Sequence, residues 1–288
     1  MNEVVSSQLL RDWPLPNVDD DGGKAARGTV VVIGGAVDTP GAVLLAGLAA
    51  LRVGAGKLTL ATAAANAAAL AVAVPESAVT PLPVTGSGGL GGDAVGACTP
   101  LLEGATALVI GPGMRDPEQT RDLVREVLQA VGEETTIVLD ALALTCGAVD
   151  DEVRTRIGKR VIATPNRTEA SYLLDGDAPD DDLEAARAVA SRLGTVVAMR
   201  SCIVSPDGNS WVDQSGDSGL GTSGSGDVLA GAIAGLAARG ASPEQSAVWG
   251  AHLHAEAGER LSARIGRLGY LARELLDELP QVLTQLER

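Results

Sequence analysis

Six short, mostly apolar runs recur along the chain: TVVVI (Thr29–Ile33), KLTLA (Lys57–Ala61), ALVI (Ala107–Ile110), TIVL (Thr136–Leu139), VIA (Val161–Ala163) and TVVAM (Thr195–Met199). Apart from KLTLA, where Lys57 and Thr59 alternate with leucines, these runs do not alternate with polar residues and read as strands buried on both faces, which is the pattern of a parallel sheet covered by helices. Between them lie helical patterns: a small-residue helix at Gly41–Val53, and stretches at about 116–131, 168–174 and 182–193. Strands alternating with helices build right-handed βαβ units. The core must be made of Ala, Val, Leu and Ile, because aromatic residues are 2% of the chain and Phe is absent. The expected fold is therefore α/β, a central and mainly parallel sheet with helices on both faces. A leading arm of about 25 residues, rich in Pro and Asp, precedes the first strong strand signal, and residues 26–288 read as a single domain without internal repeat or linker. The loops GSGGLGG (86–92) and GDAPDDD (176–182) read as solvated connections.

The late part of the chain differs. Ser201–Ser205 and Ser210–Asp213 flank Pro206-Asp207-Gly208-Asn209, a hairpin signal with Asp-Gly at its turn. A glycine-rich run follows, Gly219-Leu220-Gly221-Thr222-Ser223-Gly224-Ser225-Gly226-Asp227, and leads straight into helical sequence at about 227–239, 244–263 and 270–286. Closely spaced glycines before a helix let backbone N–H groups gather around a phosphate. Two familiar phosphate loops do not fit. A dinucleotide fingerprint should follow the first strand of a βαβ unit, whereas this run follows a hairpin. A Walker A loop needs Ser or Thr after its Lys, but Lys24, Lys57 and Lys159 precede Ala25, Leu58 and Arg160. Asp227 in the first helical turn, beside a phosphate nest, suits a base that takes the proton from a hydroxyl attacking that phosphate. A plain glycine turn capping a buried helix is the competing reading.

Three further loops fall at the carboxyl ends of strands, where ligands of open α/β sheets bind: Gly34-Gly35 with Thr39-Pro40-Gly41-Ala42, Gly111-Pro112-Gly113, and Leu139-Asp140. Asn166 and Glu169, three apart at a strand-to-helix turn, offer hard oxygen ligands for Mg²⁺ or its waters; the same pair can equally be a helix cap with Glu in the first turn. His252 and His254, two apart on a helix, point to different faces and read as packing residues rather than metal ligands.

A formal net charge of −15 argues against a nucleic-acid surface. Cys98, Cys146 and Cys202 are odd in number and far apart, so neither a disulfide framework nor a cysteine zinc site is indicated. The N-terminal sequence does not read as a signal peptide, and the longest apolar run, Gly41–Leu51, is too short to span a bilayer. The expectation is a cytoplasmic protein with no membrane and no nucleic-acid partner.

Residues Lys24–Thr62, Ala107–Met114, Ile137–Leu144, Ile162–Leu174 and Gly219–Gly258 resemble the nucleotide-dependent NAD(P)H-hydrate dehydratases, which have a ribokinase-like fold. The segments VVVIGG…PGA…AALRVGAGKLTLAT and GLGTSGSGDVLAG carry the likeness most specifically, and LARELLDELPQVL is similar to the family's last helices. The resemblance implies repair of hydrated NADH or NADPH: ADP (or ATP) phosphorylates the ring hydroxyl, phosphate then leaves, and the cofactor and AMP are released. It implies Asp227 as the catalytic base and Mg²⁺ with ADP or ATP as cofactors. Nucleotide contacts would come from Arg200, Ser201, Gly221, Thr222, Gly224, Ser225 and Gly226. Substrate contacts would come from Ala42, Gly111, Gly113, Asn166 and Asp227. It further implies a homo-oligomer such as a tetramer. The family's fused epimerase domain has no counterpart in these 288 residues. Three positions depart from the family pattern. Asn166 stands where His is usual, Leu142 stands where a second Asp is usual, and Arg200-Ser201-Cys202-Ile203 replaces a Lys-Gly-x-x-Thr loop. Two other readings share Asp227 and the fold: a kinase of a small alcohol such as a vitamin precursor, and a nucleotide-binding relative without activity.

Overall fold

The computed structural model describes residues 2–17, 23–148, 150–216 and 218–287. In chain order the elements are β1 (Asn2–Val5), α1 (Ser7–Asp12), α2 (Gly23–Ala26), β2 (Thr29–Ile33), α3 (Pro40–Arg52), β3 (Lys57–Ala63), α4 (Ala64–Ala73) and β4 (Ser77–Leu82). Then come α5 (Val95–Leu102), β5 (Ala107–Ile110), α6 (Pro117–Ala130), β6 (Thr136–Leu139), α7 (Ala141–Gly147), α8 (Asp151–Arg154), β7 (Val161–Ala163) and α9 (Arg167–Leu173). The chain closes with α10 (Asp182–Leu193), β8 (Val196–Met199), β9 (Cys202–Val204), β10 (Ser210–Asp213), α11 (Ser225–Ala238), α12 (Pro243–Arg264) and α13 (Ala272–Leu286).

The strands form one sheet in the order β1-β10-β9-β8-β7-β6-β5-β2-β3-β4. Every neighbouring pair is parallel except the two made by β9, which is antiparallel to β8 and β10. Successive side chains of a strand point to opposite faces, and both faces are covered here. Val30 and Val32 enter one core with α3, α11, α12 and α13, while Val31 and Ile33 enter the other with α5, α6, α7, α9 and α10. The same split divides Val109 from Leu108 and Ile110, and Val138 from Ile137 and Leu139. Burial on both sides is why these runs show no alternation in the sequence.

α11 is the innermost helix, buried almost throughout from Val228 to Ala238. It packs against α3 closely enough that a Cβ on Gly231 would stand 2.0 Å from the Ala46 carbonyl oxygen. Glycine on α11 opposite alanine on α3, Gly231 at Ala46 and Gly235 at Ala50, is what permits that approach.

Strand order reverses between β2 and β5. From β2 the chain moves outward through β3 and β4, then returns to β5 and moves the other way. In open α/β sheets a switch point of this kind marks the crevice where ligands bind, here at the carboxyl ends of β2 and β5.

Six elements depart from the sequence expectation, two strands and four helices. Residues 2–5, expected within an arm ahead of the first strand, pair in parallel with β10 from Asn2↔Ser210 to Val5↔Asp213. Positions 1 and 18–22 of that arm lie outside the described residues. Trp13 stacks on Trp211 with ring centroids 5.7 Å apart, and its carbonyl accepts from Trp249 Nε1 at 3.0 Å. β4 was not anticipated, because Pro81 sits inside it; at a sheet edge a missing N–H is tolerated. α4, α5, α7 and α8 also form where no helix was expected, short or apolar all round and so without a readable period. The hairpin of β9 and β10 forms as expected, with Ser205 N–H donating to Asn209 O at 2.9 Å.

Candidate active site

The glycine loop runs from the end of β10 to the start of α11. A 3-10 turn at Ser218–Gly221 leads to Gly224, which caps the helix with φ of 90°. Ser225 N–H donates to Thr222 O and Val228 N–H to Gly224 O, both at 3.2 Å. Between them, the first-turn N–H groups of Gly226 and Asp227 have no acceptor among the described residues. Gly221, Ser223 and Gly226 are exposed. Free N–H groups and the positive end of a 14-residue helix make a site for an anion. Asp227 stands at the third position of α11, and burial pushes its carboxyl up to about 6. Its charge is thus available near neutral pH, at a basicity useful for taking a proton.

At the switch point the two loops are tied together by hydrogen bonds. Gly35 N–H donates to Pro112 O at 2.8 Å, Ala36 N–H to Gly113 O at 2.9 Å, and Thr39 Oγ1 to the same Gly113 carbonyl at 2.6 Å. Behind them, Thr62 Oγ1 donates to Gly35 O, and Asn66 Nδ2 to the carbonyls of Ala36 and Val37. A Cβ on Gly113 would touch the Ala42 side chain at 3.0 Å, so these two residues are neighbours. Gly111, at φ 129°, leaves room for the Asp140 carbonyl, which would meet a Cβ there at 1.9 Å. This contact joins the crevice to the end of β6.

Asp140 is buried, and Thr164 Oγ1 donates to its Oδ1 at 2.8 Å. Burial pushes the Asp140 carboxyl up to about 7; the Thr164 bond opposes this, while the charges of Asp227 and Glu169 reinforce it. Three carboxyls therefore share one electrostatic neighbourhood. The next residue, Ala141, has φ of 48°, a left-handed conformation that costs a non-glycine residue roughly 1–3 kcal/mol.

Asn166 and Glu169 form a reciprocal capping box on α9. Asn166 Oδ1 accepts from Glu169 N–H at 3.0 Å, and Glu169 Oε2 accepts from Asn166 N–H at 2.9 Å. Burial raises the Glu169 carboxyl, against the opposing bonds from Asn166. The pair thus caps a helix, the alternative the sequence left open. Among the described residues no group of three His, Cys, Asp or Glu could by itself hold a metal ion.

Arg200, at φ 53° in the β8–β9 turn, pairs with Asp182 at 3.1 Å, a carboxylate that Arg167 also holds at 2.7 Å. Its guanidinium is engaged at the start of α10. Ser201 lies beside the foot of the glycine loop, its carbonyl accepting from Asp213 N–H at 2.8 Å. Leu142 is half-buried in the first turn of α7. Nothing local in the sequence marks Thr62, Asn66 or Thr164: each acts through a partner distant in the chain. His252 and His254 are buried, as a packing role requires, but both make polar contacts, described below. No helix among the described residues is long and apolar enough to cross a membrane.

A mainly parallel sheet with a switch point, and a glycine loop leading into a helix whose first turn carries a raised aspartate, mark the ribokinase-like class of nucleotide-using proteins. The pattern of the NAD(P)H-hydrate dehydratase family matches residues 30–281, and the chain belongs to that family. It is 43% identical, over 99% of its own length and 97% of the relative's, to the ADP-dependent (S)-NAD(P)H-hydrate dehydratase of Xanthomonas campestris pv. campestris. It is 37% identical to the bifunctional NAD(P)H-hydrate repair enzyme of Moorella thermoacetica, of whose length it covers 52%. Among solved structures, the ADP/ATP-dependent NAD(P)H-hydrate dehydratase of Bacillus subtilis, co-crystallised with ATP and Mg²⁺, superposes with a TM-score of 0.83 at 29% identity, covering 99% of each chain. A ribokinase-like superfamily protein of Enterococcus faecalis shares the fold with a TM-score of 0.82 at 24% identity.

Proposed function

We propose that the chain restores hydrated NADH and NADPH of the S epimer, with ADP as phosphoryl donor and ATP as the alternative. The observation that carries this reading is the raised Asp227 carboxyl one residue from the unpaired Gly226 N–H, at the start of a buried helix. Asp227 takes the proton of the ring hydroxyl as its oxygen forms a bond to the terminal phosphorus. The bond from that phosphorus to AMP breaks, and its electron pair leaves on AMP. Phosphate then departs from the ring carbon with a proton lost from the neighbouring carbon, and the double bond of the reduced cofactor returns. The net change is hydrate and ADP to NAD(P)H, AMP and phosphate, a hydro-lyase reaction.

The N–H groups of Gly226 and Asp227 receive the transferred phosphate, and Gly221, Thr222, Gly224 and Ser225 shape the loop around the nucleotide. Ala42, Gly111 and Gly113 line the crevice for the hydrated ring, with Asn166 at its rim. Arg200 and Ser201 flank the loop on the β8–β9 side. Mg²⁺ is commonly held through one or two carboxylates, phosphates and water rather than a closed protein cage, which fits a site where Glu169 and Asp140 lie near each other. Held through Asn166 and Glu169, it would neutralise phosphate charge. The three cysteines, all free and buried, suit a reducing cytoplasm. Self-association into a homo-oligomer such as a tetramer belongs to the same reading and is measured by light scattering.

The test is absorbance at the reduced-nicotinamide band after purified protein and Mg²⁺ meet hydrated NADH with ADP or ATP. Nucleotide-dependent recovery is expected. Stable phosphorylation of another small alcohol without recovery would replace this reading with a kinase.

A further inference from the structure

The two histidines of α12 take no part in the chemistry above, yet each holds one end of the loop that does. His252 Nδ1 donates to Asp213 Oδ2 at 2.9 Å, and Asp213, at the end of β10, also accepts from Ser215 N–H through Oδ1 at 2.8 Å. His254 Nε2 lies 2.9 Å from Ser225 Oγ, at the first residue of α11. The two ends of the glycine loop are therefore each held by a buried imidazole contact. The i, i+2 spacing that sends these side chains to different faces, and so disfavours a shared metal, is what reaches two separate feet.

Between the feet the loop is laid along the same helix. Gly216 N–H donates to Glu259 Oε1 at 2.8 Å, and Leu220 fills the space beside Gly258, where a Cβ would meet its Cδ2 at 2.7 Å. Burial pushes the His254 imidazolium down to about 4, against a bond to the Ser225 backbone, so the ring is neutral and hydrogen-bonded. A buried polar ring earns its place only when bonded, and here its bond is to the helix end that receives phosphate.

We propose that His252 and His254 are positioning residues that pin the two feet of the nucleotide loop to α12, presetting the Gly226 and Asp227 N–H groups and the Asp227 carboxylate before nucleotide arrives. This inference rests on the reading of the glycine loop as the nucleotide site. A loop ordered in advance loses less freedom on binding, so releasing a foot weakens nucleotide binding more than it weakens the fold.

Binding of ADP and ATP is measured by calorimetry, with hydrogen–deuterium exchange followed by peptide, on the full chain and on His252→Ala and His254→Ala. Each alanine variant is expected to raise nucleotide Kd and KM about tenfold or more and to speed exchange selectively across 214–226. His254→Gln, which keeps a hydrogen-bonding group near Ser225, is expected to recover most of the loss. If the His254 variant does not fold, Ser225→Ala removes the same contact from the loop side and is read by faster loop exchange alone, because Ser225 itself borders the nucleotide. Wild-type nucleotide KM and unchanged loop exchange in the folded variants would overturn the inference, as would faster exchange spread evenly through the core. A wild-type protein that binds neither nucleotide would instead overturn the site assignment beneath it.

Discussion

Asp227 carries a charge that the fold resists. Its carboxyl sits at about 6 against an ordinary 3.8, so the protonated form is the one the folded state favours. The associated stability is fully present below about pH 4 and is lost as pH rises through 6, where the ionised group costs up to about 3 kcal/mol. Asp227→Asn should therefore melt higher than wild type at pH 8, with the difference vanishing near pH 4, while turnover falls by at least about a hundredfold and nucleotide binding persists. Thermal melts at both pH values, with kinetics at pH 8, check all three; near-normal turnover would remove Asp227 from the mechanism. Asp140, pushed up to about 7 in part by Asp227, makes the two carboxyls a coupled pair. The acid side of the wild-type rate profile should thus report two ionisations between about 6 and 7. Asp140→Asn should leave a single one at or below about 6; an unchanged profile would uncouple the pair. Asp227 was legible in the sequence because a glycine run announces it. Asp140 was visible only as the end of a strand, since its significance depends on Thr164, Glu169 and Asp227 arriving from three other segments. The histidines of α12 look like packing residues in the sequence for the same reason: no local pattern tells which loop a buried helix will carry.

At the scale of elements, the close seam between α3 and α11 sets the position of the whole glycine loop. Gly231 in an isolated helix would be improved by Ala by about 1 kcal/mol. In the seam the added methyl meets the Ala46 carbonyl, a backbone atom that cannot swing aside. Gly231→Ala should lower stability by about 1–3 kcal/mol or more. Gly96→Ala, at an exposed position of α5 with nothing near its Cβ, should be neutral or slightly stabilising. Equal melting shifts in the two variants would contradict the packing described. The central strands and the last three helices were readable because burial on both faces leaves unbroken apolar runs, and because α11 to α13 are long. β1 and β4 were not, since an edge strand is buried on one side at most. In β1 the burial alternates only weakly through Asn2, Glu3, Val4 and Val5, and β4 contains a proline. Arg200 shows a different limit: its charge was legible, but its engagement with Asp182 depends on where α10 begins.

For the molecule as a whole, the first residues of the chain close one edge of the sheet. Leu10 is fully buried, and α1 leans on the core that also holds Trp211 and Trp249. Leu10→Ala should cost about 2–5 kcal/mol, measured by denaturant titration. A loss below 0.5 kcal/mol would show that this segment is only loosely attached. The pairing of Asn2 with Ser210 joins positions separated by most of the chain. Contacts at such separation must wait for everything between them, because ordering the intervening chain comes before any return from the contact. During synthesis, β1 therefore emerges well before its partner and docks late, onto a strand that does not exist until more than two hundred residues later. Interactions formed that late are absent from the folding barrier. Leu10→Ala should accordingly speed unfolding while leaving the refolding rate nearly unchanged, so that this edge of the sheet governs how long the protein stays folded rather than how fast it gets there.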